Sequence, residues 1–316
     1  MKKVAIAGCG RISKRHIEAI KATKNLELSV VCDIDPSKAD QASKLYSVPC
    51  VYDYNDIQDV DIISVLTPSG LHPMHVKDII TNSSAENIVC EKPISLTVRE
   101  AYDLYDHVDA TGKRFLPVYQ NRYNPLVVYV KKLIESQKLG HLHQFVCNIF
   151  WNRNDDYFAN GWHGTRALDG GVLYTQASHY VDMIHFFFGE ISDSKGIGGS
   201  LRELEVYDTI TAACRFKNGV IGSINATIST FKQNFTTEFV LISEKGTIRL
   251  SGTNLNTIDF WDVDGIEKPD IDFKIDHIYG KGHDAMYAYI IDENWDMFPS
   301  RDDVISGIRL MERLSY

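Results

Sequence analysis

The first thirty-five residues constrain the chain more than any later stretch. A short apolar run, Lys3 to Ala7, ends in Gly8-Cys9-Gly10-Arg11-Ile12-Ser13, and the stretch Ser13 to Thr23 then sets Ile17, Ala19 and Ile20 at helical spacing. This reads as strand, tight turn, helix. A second strand, Leu26 to Cys32, ends at Asp33, and Pro36 to Leu45 resumes the helical period, closing a βαβ unit. A pair of glycines is common in turns. Between a strand and a helix, however, it lets backbone approach a pyrophosphate at the positive end of the helix. Gly8, Gly10, Arg11 and Ile12 are therefore the expected dinucleotide loop, with Ser13 where the usual fingerprint has its third glycine. Asp33 stands at the place of the acid that accepts hydrogen bonds from ribose hydroxyls and repels a 2′-phosphate, which favours NAD over NADP. The plainer alternative for Asp33 is a turn-forming acid ahead of Pro36.

The alternation continues: strand Asp61 to Leu66, loop Thr67 to Pro73, helix Met74 to Ile80, strand Asn87 to Cys90, helix Leu96 to Thr111 and strand Phe115 to Tyr119. Such a series predicts a parallel sheet covered on both faces. Thr67-Pro68-Ser69 would lie at its carboxyl edge, where open α/β folds bind ligands. After a helix at Pro125 to Ser136 the period changes to two, in His143 to Trp151, Thr209 to Phe216, Gly219 to Ser229, Thr237 to Ser243 and Thr247 to Ser251. Turns at Lys217-Asn218-Gly219 and Glu244-Lys245-Gly246 make these antiparallel hairpins. One helix, Gly171 to Phe188, and another from Asp302 complete the pattern. The expected fold is an α/β Rossmann domain with a doubly wound parallel sheet over residues 1–120, then an α+β domain with a mainly antiparallel sheet over residues 121–316.

A length of 316 residues suits two such domains. The formal charge of -9 and the lack of a basic, aromatic-interleaved stretch argue against nucleic acid as a partner. Cys9, Cys32, Cys50, Cys90, Cys147 and Cys214 form no C-x-x-C pair and read as reduced thiols. His72 and His75, three apart with no third ligand arranged around them, are poor evidence for a metal, and none is expected. No run of 18 apolar residues and no cleavable leader is visible, so a cytoplasmic location without a membrane partner is the expectation.

Glu91-Lys92-Pro93 at a strand end, after the Rossmann opening, is similar to the E-K-P signature of the glucose-fructose oxidoreductase, inositol dehydrogenase and related (Gfo/Idh/MocA) family. The resemblance extends through Thr67 to His72 and from Asp169-Gly170-Gly171 through His179 to Asp182, essentially over the whole chain. More narrowly, Gln120 to Asn124, Phe150-Trp151 through Gly161 to Thr165, and Gln176 to Asp182 resemble the members that oxidise the 3-hydroxyl of UDP-N-acetylglucosaminuronic acid for surface polysaccharide such as lipopolysaccharide.

The resemblance implies an NAD-dependent sugar dehydrogenase, a homodimer or homotetramer built on the open C-terminal sheet, and a set of site residues. Lys92 would lie beside the nicotinamide, suited to proton transfer or to polarising the developing alkoxide. His179, which in isolation would be an ordinary core histidine of an apolar helix, would face the substrate, with Asp182 orienting it or serving as a salt-bridge partner. Cofactor contacts would come from the glycine loop, Asp33, Thr67, Pro68, Ser69, His72, Glu91, Lys92, Gln120 and Trp162. Arg153, Arg166 and Arg122 are candidates for a diphosphate or carboxylate, and Thr175 and Gln176 for sugar hydroxyls. Tyr119, Tyr123, Tyr157 and Tyr174 can be read simply as core or interface residues. Two departures stand out: Thr175 replaces the family's usual Asp or Asn, and the sequence ends at Tyr316 without the tail that many relatives carry. Alternatives are a dehydrogenase of a free sugar or inositol, an NAD-assisted glycosidase, and a non-catalytic dinucleotide sensor.

Overall fold

Val4 to Ala7, Ile62 to Val65 and Asn87 to Cys90 are buried at every residue, as parallel strands sandwiched between helices must be. They form the centre of a six-stranded sheet in the computed structural model, which describes residues 1–159, 161–271 and 281–315. Its strands are β1 (Lys2–Ala7), β2 (Leu26–Cys32), β3 (Cys50–Val51), β4 (Ile62–Val65), β5 (Asn87–Cys90) and β6 (Arg114–Pro117). They run parallel in the order β3-β2-β1-β4-β5-β6, the doubly wound Rossmann arrangement. Helices α1 (Ser13–Ala22), α2 (Pro36–Tyr46), α3 (His72–Asn82) and α4 (Val98–Asp109) connect them. The start of α4 is fixed by a reciprocal capping box between Thr97 and Glu100.

The second unit is built on a seven-stranded sheet. It is introduced by α5 (Pro125–Glu135) and β7 (Leu142–Phe150), followed by the short helices α6 (Asp155–Phe158) and α7 (Val172–Thr175), then α8 (Ser178–Phe188). Strands β8 (Ile191–Gly199), β9 (Thr209–Phe216), β10 (Ile221–Thr227), β11 (Thr236–Ser243), β12 (Gly246–Ser251) and β13 (Thr257–Val263) complete it. The order is β13-β12-β11-β7-β10-β9-β8, with β7 and β10 parallel and every other pair antiparallel. Its core is aromatic. Phe145 of β7 stacks on Phe188 of α8 with ring centroids 4.9 Å apart, and Phe216 meets both edge-on.

Three features depart from the sequence reading. The helix expected over Gly171 to Phe188 is broken into α7 and α8. Gly171 itself has φ +95, and a Cβ there would meet the Tyr207 carbonyl at 2.8 Å, so the helix begins only at Val172. Strand β8 carries three glycines in ISDSKGIGG, which hides it from a search for apolar alternation. The chain also turns back after the second sheet. Helix α9 (Gly282–Ile291) brings His283 to Arg301 into the first unit, which otherwise ends at Tyr119, while α10 (Arg301–Ser315) belongs from Asp302 onward to the second. A single boundary at residue 120 makes no provision for that return. Tyr316, the end of the chain, lies outside the described residues. Among the described residues no helix is long and apolar enough to cross a membrane, and all six cysteines are free thiols.

Candidate active site

In the first unit the chain leaves β1 at Gly8, where φ is +109 and an added Cβ would meet the Leu66 carbonyl oxygen at 2.7 Å. Gly8 is thus demanded by the fold. Gly10 is different: it is exposed, and an added Cβ would find no described atom within 4 Å. The N-terminus of α1 that follows has no side-chain cap and no acid in its first turn, and its Ser13 and Arg15 N–H groups donate to the Gly10 and Ile12 carbonyls. Open space in front of a glycine and the positive end of a helix free of acids beside it fit the phosphates of a dinucleotide. Asp33 accepts from the Cys9 N–H at 2.8 Å through one oxygen and from the Asp35 N–H at 2.9 Å through the other. It fixes the glycine loop, and its remaining lone pairs stay available to ribose hydroxyls. Arg11 is exposed and Ile12 half-buried at the head of α1.

This contrast makes a paired prediction. Gly8→Ala should cost about 1–3 kcal/mol of stability through its strained φ and the backbone clash. Gly10→Ala should leave the denaturation midpoint in place and weaken NADH about tenfold, roughly 1.4 kcal/mol. Equal NADH affinity in Gly10→Ala and the parent, read by fluorescence titration, would remove the phosphate assignment.

Thr67, Pro68 and Ser69 follow β4. The buried His72 places one ring nitrogen 2.7 Å from the Thr67 carbonyl and the other 2.7 Å from the Pro93 carbonyl. His75 meets the Thr67 hydroxyl at 2.9 Å. Burial holds both imidazoles below their ordinary pKa. His72 thus lies between the Thr67 loop and the Lys92-Pro93 turn, and as a neutral ring it donates to one of the two carbonyls. Glu91 is likewise bonded within the first unit. Its carboxylate is buried and is spent on the Lys92 N–H at 3.0 Å and on His16 at 3.0 Å and His283 at 3.4 Å. Lys92 is half-buried at the end of this turn.

In the second unit, His179 is half-buried on the first turn of α8. Its Nε2 lies 3.0 Å from the amide nitrogen of Gln120, a residue only 4% exposed. The amide N–H can only donate, so His179 Nε2 accepts and the ring carries its proton on Nδ1. Gln120 therefore sets the tautomer of His179 within its own unit. Asp182 turns away from this contact: Arg122 reaches its two oxygens at 2.6 and 2.7 Å and binds Asp303 at 3.2 Å. Arg122 is 6% exposed and lies with Phe186 against its guanidinium, so it is a structural pair rather than a diphosphate ligand.

Gln176 is also directed inward. Its amide donates to the Tyr157 hydroxyl at 2.9 Å, and the single Thr175 O–H lies within reach of both the Gln176 carbonyl and the Gly171 carbonyl, donating to one of them. Gln176 is buried beside the α7–α8 break, while Thr175 is half-buried. Arg153 lies over the Trp151 and Tyr157 rings at 5.1 and 5.4 Å and donates to the Asn152 carbonyl. Arg166 is exposed. Trp162 packs on His163 with centroids 3.6 Å apart, His163 stacks on Tyr157 at 3.8 Å, and Asp169 accepts from His163 at 3.1 Å. Tyr119, Tyr123, Tyr157 and Tyr174 are buried core residues.

Two family models match. The "Oxidoreductase family, NAD-binding Rossmann fold" model covers residues 2–119, and the "GFO/IDH/MocA C-terminal domain" model covers residues 127–249. Among solved structures, the WlbA dehydrogenase from Bordetella pertussis in complex with NADH and UDP-GlcNAcA is similar at TM-score 0.86 and 30% identity, over 99% of this chain and 94% of that one. Among curated proteins, the uncharacterized oxidoreductase YrbE of Bacillus subtilis is 25% identical over 232 residues, 70% of this chain and 65% of that protein. Levoglucosan dehydrogenase of Pseudarthrobacter phenanthrenivorans is 24% identical over 250 residues, 69% and 63% of the two. The matched stretches thus span less than two thirds of those curated relatives.

Proposed function

From the premise that this chain belongs to the Gfo/Idh/MocA oxidoreductase family, through both its NAD-binding Rossmann domain and its C-terminal domain, we propose that it oxidises the 3-hydroxyl of a UDP-linked N-acetylated uronic acid. The observation that carries this reading is the similarity to the Bordetella WlbA dehydrogenase along almost the entire length of both chains. NAD, when bound, supplies the hydride acceptor. The remaining work, removing the hydroxyl proton and holding the alkoxide, falls to the protein.

Lys92 takes the proton in this reading, and His179, held by Gln120 as the Nδ1–H tautomer, hydrogen-bonds and orients the sugar. Asp33 and the uncapped start of α1 hold the dinucleotide. Arg153 and Arg166 are assigned to the acidic groups of the substrate and Trp162 to the cofactor. Thr175 lies one turn before His179 on the inward-bonded α7, so the sugar is held without a carboxylate from that position. The side of the seven-stranded sheet to which β9 and β10 turn their less buried residues is assigned to a second copy of the chain.

The test is absorbance of reduced nicotinamide when the protein and NAD meet UDP-N-acetylglucosaminuronic acid, with and without 2-oxoglutarate to reoxidise a retained cofactor. Sugar-dependent reduction, or 2-oxoglutarate consumption that needs the sugar, is expected. The second reading, a dehydrogenase of a free sugar, is favoured by the match to levoglucosan dehydrogenase and predicts NAD reduction by levoglucosan or inositol with silence toward the nucleotide sugar.

A further inference from the structure

Behind the turn that carries Lys92, five polar side chains from α1, β4, the end of β5 and α9 are packed out of water. His16, Ser64, His283 and Tyr287 are 0% exposed and Glu91 is 6% exposed. His16 Nε2 and His283 Nε2 both approach the same Glu91 oxygen, at 3.0 and 3.4 Å. The other oxygen accepts the Lys92 N–H. His16 Nδ1 lies 2.8 Å from the Tyr287 hydroxyl, which lies 2.8 Å from the Ser64 hydroxyl.

The surroundings of Glu91 and His283 fix the protonation of both groups. Burial alone would raise the Glu91 pKa, but the hydrogen bonds from His16 and His283 carry it well below the ordinary carboxylate value, so Glu91 is an anion that only accepts. Burial lowers His283 to about 4, so this ring is neutral and its Nε2–H donates. His16 Nε2 meets the same carboxylate oxygen, its Nδ1 shares a hydrogen bond with the Tyr287 hydroxyl, and that hydroxyl shares another with Ser64. Every link ends on one buried negative charge.

A buried ionic group is weak as a stabiliser, since apolar residues of similar volume do as well or better. Its use has to be sought in what the charge acts on. The other charged neighbours are already balanced: Arg15 pairs with Asp284 at 2.8 Å and lies 3.9 Å from Glu18. His72 is turned to the Thr67 and Pro93 carbonyls, and burial together with the charge on Glu91 keeps the Cys90 thiol protonated. Lys92 is the cation joined directly to Glu91 along the chain.

We propose that His16, His283 and Tyr287 are positioning residues that keep Glu91 charged, and that this buried charge holds the Lys92 backbone in place and sets the protonation of its ammonium. The proposal rests on the reading of Lys92 as the proton-transfer group. The His16, Glu91 and His283 ligand atoms lie within 4.8 Å of one another, a grouping that could hold a metal ion. The contacts of 3.0 and 3.4 Å to one shared oxygen are those of two N–H donors on a carboxylate.

The experiment measures Lys92 itself rather than turnover. The full chain with NADH bound is trace-labelled with acetic anhydride across a pH series, and the Lys92 peptide is quantified by mass spectrometry against exposed lysines. Glu91→Gln removes the charge that favours the ammonium, so the half-labelling pH of Lys92 should fall by about one unit, about tenfold more labelling at a fixed lower pH. His16→Leu deprives the carboxylate of a donor, pushes it toward the neutral acid and should shift Lys92 in the same direction, while His16→Gln should label as the parent does. NADH fluorescence checks that each variant is folded. Identical Lys92 labelling in parent, Glu91→Gln and His16→Leu would overturn the proposal, as would one equivalent of zinc in the purified protein that is lost on Glu91→Gln. Turnover retained by a Lys92 variant would sink the dehydrogenase mechanism but leave the labelling result standing, so the two failures can be told apart.

Discussion

Lys92→Ala is expected to lower kcat by about 10²–10⁴-fold, the range for loss of a positioned proton-transfer group, while NADH affinity stays within about twofold. The split between the two quantities carries the argument. The groups assigned to the dinucleotide are the open space at Gly10, the uncapped start of α1, the carboxylate of Asp33 and Trp162, none of which depends on the Lys92 side chain. The turn itself is held from behind: Glu91 accepts the Lys92 N–H, and His72 lies against the Pro93 carbonyl. Removing three methylenes and an ammonium from a half-buried position therefore leaves the backbone framed. A fall in NADH affinity equal to the fall in kcat would mean that Lys92 is a cofactor ligand, and full turnover would remove the mechanism. Lys92→Arg separates charge from proton transfer, because a guanidinium holds a charge but does not give up its proton. It should be nearly as impaired as alanine.

The sequence was most legible where local chemistry and tertiary role coincide. The glycine loop, Asp33, the parallel sheet and the edge position of Thr67 all follow from apolar period and turn residues, and strands β2, β5 and β9 have the predicted ends. The structure departs where a residue's role depends on a partner far away in sequence. Glu91 and His72 carry the family motif, which made them natural cofactor ligands, and nothing local shows that their polar atoms meet groups from α1, α9 and the Thr67 loop. Helix α9 escaped because GHDAMYAYII is apolar nearly all round, and its return to the first unit is a long-range fact that no local pattern records. His16 and His283 were missed as site residues for the same reason: a lone histidine in a helix gives no sign that another, 267 positions later, shares its carboxylate. The one local hint was a charged residue in an otherwise apolar approach, Glu91 directly after the buried strand β5.

Arg122→Ala is expected to give the largest loss of stability, about 3–5 kcal/mol, because it strands a buried carboxylate. The Arg122 and Asp182 side chains are 7% and 4% exposed, and two nitrogens of one guanidinium meet both carboxylate oxygens in a fork-to-fork pair. Burial by itself would lower the Arg122 pKa, but Asp182 and Asp303 together raise it, so the cation persists at any working pH. Asp303 in turn meets His185 at 3.1 Å, so one arginine ties the Gln120–Tyr123 turn to α8 and to the last helix, α10. The pair is costly to break and cheap to replace. Arg122→Met with Asp182→Leu removes both charges at similar volume and should recover most of the loss, leaving a deficit of about 1–2 kcal/mol from Asp303 and His185. Urea denaturation decides this, through midpoints compared at unchanged slope. A single Arg122→Ala variant within about 1 kcal/mol of the parent would show that Asp182 finds water or a proton, and that the pair does not fix α8. The double variant adds a functional reading. Gln120 lies two residues before Arg122, and His179 three before Asp182, so a stable double variant with lower kcat would place this pair as the clamp that keeps the Gln120 amide on His179.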